Sequence, residues 1–86
     1  MMIDTERIEC LDREQNDLLE RRRRCYAGRQ TVMWWYLSCE IWRVVTTRFK
    51  LKGYPCTPAA ENYRRARANY CEAFARETAE EARRVP

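Results

Sequence analysis

The sequence predicts an all-α fold of three helices, arranged as an up-down-up bundle or as an extended helical hairpin. Three observations carry that expectation. Charged residues make up 35% of the 86 and hydrophobic ones 45%, with only two glycines and three prolines. Such a composition favours long amphipathic helices over sheet or disorder. Apolar residues recur at helical spacing before and after the central stretch. The one clear punctuation mark is Gly53-Tyr54-Pro55-Cys56-Thr57-Pro58. The chain is expected to form a single domain, and at this length its core is small. Domains of this size typically gain stability from disulfides, a metal or an oligomeric partner.

The first helix is expected over about residues 5–27. Asp4 or Thr5 serves as its cap, and Glu6 and Glu9 favour its positive end. Ile8, Leu11, Leu18, Leu19, Cys25 and Tyr26 form a broken apolar stripe, and Asp12, Arg13, Glu14, Asp17 and Glu20 occupy the other faces. Arg21 to Arg24 load the end with positive charge, and Gly28 is the expected stop.

The second helix is expected over about 30–52. It contains Val32 to Val45, the most apolar stretch of the chain, with all three tryptophans: Trp34, Trp35 and Trp42. The β-branched run Val44 to Thr47 would suit a strand. However, alternation is absent and no second segment offers a partner strand. Arg48, Lys50 and Lys52 complement the helix end, and Gly53 terminates it.

The third helix is expected over about 58–84, with Thr57 as N-cap, Pro58 in the first helical position and Glu61 in the first turn. Its inner stripe is Ala59, Tyr63, Ala66, Tyr70 and Phe74. Short connections make neighbouring helices antiparallel, and the apolar middle helix faces both of the others.

The net charge of +4, with a pI near 9.0, suits acidic partners such as nucleic acid, anionic lipid or an acidic subunit, and selects none of them. The chain has no histidine, so the commonest general base and the commonest metal ligand are both missing. There is also no paired-carboxylate, serine–base or glycine-rich phosphate-loop pattern. The expectation is a non-enzyme without a cofactor. The stretch from Met1 to Cys10 resembles neither a secretory signal nor an Arg-rich presequence, so any targeting signal is expected to be internal or removed upstream. Val32 to Val45 is 14 residues long and carries Glu40 and Arg43. A bilayer span needs about 20 apolar residues, so an in-plane or protein-buried helix is the better expectation.

Five cysteines stand at 10, 25, 39, 56 and 71. Cys10 and Cys25 are 15 residues apart, as are Cys56 and Cys71. That spacing separates the members of each pair by about 22 Å along a helix, too far to bond within it. If helices 1 and 3 run parallel, Cys10 lies level with Cys56 and Cys25 with Cys71. Two bridges, Cys10–Cys56 and Cys25–Cys71, would then clamp the helices. Alternatively, Cys39 and Cys71 are equidistant from the turn at Tyr54-Pro55 and could bridge helices 2 and 3. Free cysteines acting as small buried hydrophobes are the third possibility. A zinc site is not expected, because there is no short C-x2–4-C spacing and no histidine.

A helical hairpin with two equally spaced cysteine pairs, and Asn69-Tyr70-Cys71-Glu72-Ala73-Phe74 with aromatics around a cysteine, resembles the coiled-coil-helix-coiled-coil-helix proteins of the mitochondrial intermembrane space. The spacing in that family is C-x9-C, whereas the pairs here are C-x14-C. The resemblance covers about a third of the chain. It implies cysteines oxidised after import, a location on the intermembrane-space side of the inner membrane, and a role as accessory subunit or assembly factor of a respiratory complex.

Two patches are candidate contacts. Arg21, Arg22, Arg23 and Arg24 suit an acidic partner or lipid headgroups, although four successive residues point to all sides of a helix. Trp34 and Trp35 point about 100° apart, and Trp42 lies near the Trp35 side. One bundle core cannot easily cover all three, so they are the expected protein or lipid interface. Glu40 and Arg43 are placed to pair. The expectation is a structural accessory subunit of a larger assembly, first of all a mitochondrial inner-membrane complex such as a respiratory-chain complex or ATP synthase. Its partners would be other protein subunits and anionic lipid. The alternative is a small basic ribosomal or RNA-associated protein.

Overall fold

The computed structural model describes residues 4–27 and 30–84. They form α1 (Thr5–Ala27), α2 (Thr31–Lys52) and α3 (Thr57–Arg84), with no strand among the described residues. The helix ends follow from the local sequence. Asp4 caps α1: its carbonyl accepts from the Ile8 N–H and its side chain from the Arg7 N–H, both near 3 Å. Gly28, the expected stop of α1, lies outside the described residues. The Gln30 N–H donates back to the Cys25 carbonyl at 3.0 Å, which ties the end of α1 to the start of α2.

Gly53 ends α2 in the left-handed region at φ 76°. Its N–H donates to the Lys50 carbonyl and that of Tyr54 to Phe49, the paired bonds of a Schellman ending. α3 begins one residue earlier than expected. The Cys56 carbonyl accepts from the Ala60 N–H, so Cys56 holds the N-cap place and Thr57 enters the helix. Pro58 still sits in the first turn, where a missing N–H costs nothing.

α2 is the central element, with α1 packed on one side and α3 on the other. Both pairs are antiparallel. Arg43 reaches Glu14, and Arg22 reaches Trp34 and Ser38, which sets the α1–α2 register. Arg48 adds bonds to Asp12 and Gln15. Leu37, Ile41 and Val44 of α2 are buried against Leu18 and Cys25 of α1, with Leu11, Leu19, Trp34 and Val45 packed around them. The α2–α3 contact has a different character. Its buried α3 residues are Ala59 and Ala66, small side chains that let the two backbones approach closely.

α1 and α3 do not meet: no α1 Cα lies within 8 Å of an α3 Cα. The molecule is elongated, 60 × 23 × 16 Å, with its core confined to the two faces of α2.

Candidate functional site

Antiparallel packing brings Tyr36 of α2 against Tyr70 of α3, with ring centroids 5.7 Å apart, and Phe74 continues the row 6.1 Å beyond Tyr70. Met33, one helical turn before Tyr36, lies on the same side of α2. This row is apolar and open. Met33 is 44% exposed, Tyr36 43% and Phe74 54%. It borders an open concavity between the first turn of α2 and the last turns of α3, lined by Val32, Met33, Ala73, Phe74, Glu77 and Arg84 among others.

Just past this row α3 outruns its neighbour. α3 has 28 residues and α2 has 22, so the register set by Tyr36 and Tyr70 leaves the end of α3 with nothing opposite. Every described residue of α3 from Ala75 onward is exposed. Of the expected inner stripe, Ala59 and Ala66 are buried, Tyr63 and Tyr70 half-buried, and Phe74 is exposed rather than core.

Trp34, Trp35 and Trp42 are all half-buried. Trp34 packs against the α1–α2 core, and the Trp35 ring meets it edge-on, 4.8 Å between centroids at 89°. The adjacent tryptophans thus shield one another, and the most exposed apolar surface belongs to other side chains. Tyr26 and Tyr54, 77% and 57% exposed, stand apart at the helix ends.

The arginine run is largely occupied within the fold. Arg23 and Arg24 pair with Glu20 at 3.1 and 3.7 Å. Arg22 lies 5.0 Å over the Trp34 ring and donates to the Ser38 hydroxyl. Arg21 is exposed. The Glu40–Arg43 pair forms at 2.9 Å, and Arg43 also reaches Glu14 across to α1 at 3.1 Å. Those carboxylates, Glu40 foremost through its hydrogen bond, raise the pKa of Arg43 against the opposing effect of its partial burial.

All five cysteines are free thiols. Cys25 and Cys39 are buried, Cys10 and Cys71 are exposed, and Cys56 is half-buried in the turn. A disulfide needs Cα atoms within about 7 Å, and α1 and α3 stay beyond 8 Å of each other, so Cys25 cannot reach Cys71 in this arrangement. The expected clamp of α1 to α3 is not formed. Burial pushes the Cys39 thiol above its ordinary value of 9.0; the neighbouring Cys71 and Glu40 add to the rise, and Arg67 opposes it. Among the described residues, no cluster of histidine, cysteine, aspartate or glutamate is placed to hold a metal ion.

Fold and site together define a small all-α protein whose chemical assets are an open aromatic face and its thiols. Comparison with protein families, with known proteins and with solved structures finds no match.

Proposed function

We propose that the chain is a non-catalytic structural subunit that docks into a larger protein assembly through the α2–α3 aromatic row. The observation that carries this reading is the Met33, Tyr36, Tyr70 and Phe74 surface. It is continuous and solvent-open in a molecule with a slender core, and large aromatics of this kind are enriched where proteins meet. The half-buried Trp35 and Trp42 provide further apolar contact area on α2.

For the assembly we propose a mitochondrial inner-membrane complex, with the chain on the intermembrane-space side. That assignment rests on the resemblance of the cysteine pattern to the twin-cysteine helical proteins. Docking of this kind needs no spanning helix, and among the described residues no helix is long and apolar enough to cross a membrane. Exposed Arg21, Arg64 and Arg65 would meet acidic subunits or anionic lipid heads at the rim of such a contact.

The test is native electrophoresis of extract from cells making the protein, followed by a double variant, Tyr36→Ser with Phe74→Ser. Wild type is expected to migrate with a large complex. The variant, with unchanged helical circular dichroism, is expected to migrate alone. A wild-type chain that migrates alone would overturn the reading, as would one released from RNA by added salt.

A further inference from the structure

α2 and α3 run antiparallel across the turn at Tyr54-Pro55, and the Tyr36–Tyr70 contact fixes their register. Stepping three residues from that contact in opposite directions places Cys39 level with Arg67. Cys71 is the residue after Tyr70 and lies one turn beyond Arg67. Cys39 is thereby level with one turn of α3, and Cys71 is carried on the next. Beyond burial, the α3 groups that act on its thiol are Cys71 and Arg67, as this placement requires. The alanines at 59 and 66 keep the two helices close. The two thiols differ sharply in access, since Cys39 is 7% exposed and Cys71 lies open to solvent.

We propose that Cys39 and Cys71 form an intramolecular disulfide that staples α2 to α3, made by exchange with an external disulfide carrier that enters at Cys71. In the first step the Cys71 thiolate attacks one carrier sulfur. A Cys71–carrier bond forms, the carrier's own S–S bond breaks, and one carrier thiolate leaves. In the second step the Cys39 thiolate attacks the Cys71 sulfur. The Cys39–Cys71 bond forms, the Cys71–carrier bond breaks, and the second carrier thiolate leaves. The two protons given up by Cys39 and Cys71 go to the two carrier thiolates. Two protein thiols are oxidised and one disulfide is reduced.

The order follows from access. Of these two thiols only Cys71 can meet a carrier in the folded chain, and Cys39, shielded by burial, is reachable by a sulfur already attached to α3. Closing a loop of about 30 residues restricts the unfolded chain, so the oxidised form should melt on the order of 10 °C above the reduced one. The staple would form whether or not the aromatic row carries a partner.

The test uses the full chain, purified reduced and then exposed to oxidised glutathione. Remaining thiols are alkylated in denaturant, and the peptides are mapped without reduction. The expected product is a peptide linking Cys39 to Cys71, with buried Cys25 alkylated and Cys10 and Cys56 either alkylated or carrying glutathione, but bridged to no other cysteine. Cys39→Ser should stop at a glutathione adduct on Cys71. Cys71→Ser, a change at an exposed position, should leave Cys39 free and abolish the oxidation-dependent rise in Tm. The proposal is overturned if wild-type Cys71 accumulates the adduct while Cys39 stays free. It is equally overturned if the dominant bridge joins other cysteines, such as Cys10 with Cys56.

Discussion

The Arg22 guanidinium lies 5.0 Å over the Trp34 ring and donates to the Ser38 hydroxyl, which itself donates to the Trp34 carbonyl. Ser38 is 2% exposed, so Arg22 supplies a partner to a polar group that water hardly reaches. One arginine of a basic run therefore belongs to the α1–α2 interface. Arg22→Ala should destabilise the reduced protein by about 1–3 kcal/mol, through the lost cation–π contact and the hydrogen bond taken from Ser38. Arg21→Ala, at an exposed position, should stay within about 0.5 kcal/mol of wild type. Urea unfolding of both variants decides it, and equal costs would refute the distinction.

Leu37 and Phe74 make the reverse comparison, between a core residue and an exposed apolar one. Leu37 is 1% exposed at the centre of the α1–α2 cluster, whereas Phe74 is 54% exposed beside the open concavity at the first turn of α2. Leu37→Ala should cost about 2–5 kcal/mol, enough to unfold much of a domain with so small a core. Phe74→Ser should change stability by no more than about 0.5–1 kcal/mol while weakening docking. Thermal melts followed by circular dichroism separate the two. A large loss for Phe74→Ser would mean that the aromatic row stabilises the fold and is not a free surface.

Gly53 offers a test of backbone against packing. At φ 76° it sits in the left-handed region, yet a Cβ added there would meet no atom within 4 Å. The cost of Gly53→Ala is therefore conformational alone, about 1–2 kcal/mol. Gly53→Asn should recover part of it, because asparagine tolerates this region better. If alanine proved neutral, the Schellman ending would not limit the stability of α2.

The helices themselves were legible in the sequence, because their ends are written in local chemistry: Asp4 as a cap, Gly53 as a stop, Pro58 in a first turn. Thr57 misled by one position, since its side chain advertises capping while the Cys56 carbonyl takes the role. Periodicity also identified α2 as the helix with two neighbours and placed Ala59 and Ala66 inside. It did not show where along each stripe the cover ends. Phe74 continues the stripe of Tyr70, but it lies level with the first turn of α2, at the margin of its cover, and the six extra residues of α3 run on beyond it. Comparing the two predicted lengths across the turn would have revealed the overhang. The separation of α1 from α3 left no such signal. A middle helix covered on two sides reads the same whether its neighbours touch or not, and on that difference the Cys25–Cys71 pairing fails. The contact between Trp34 and Trp35 was equally hidden, because an angle of about 100° between side chains says nothing of where large rings bend.

Cys39 should make stability depend on alkaline pH in the reduced protein. Burial, then the Cys71 and Glu40 charges, hold its folded pKa above the ordinary 9.0. Below that ordinary value both folded and unfolded chains keep the proton, and the full contribution is present. As pH rises past it, the unfolded chain ionises first while the folded chain still binds the proton. Stability then falls, at no more than about 1.4 kcal/mol per pH unit for a single proton, until pH passes the folded value. Other groups titrate in the same range, so the useful quantity is the difference between wild type and Cys39→Ala. Loss of the side chain adds a constant offset, whereas loss of the titration changes the slope. Wild type should lose stability more steeply than Cys39→Ala above about pH 9, under reducing conditions, in urea melts at stepped pH. In a Cys71→Ser background one like charge is gone, so the sensitive window should end at lower pH. Parallel curves for wild type and Cys39→Ala would show that the Cys39 thiol titrates alike folded and unfolded, which burial against α3 forbids.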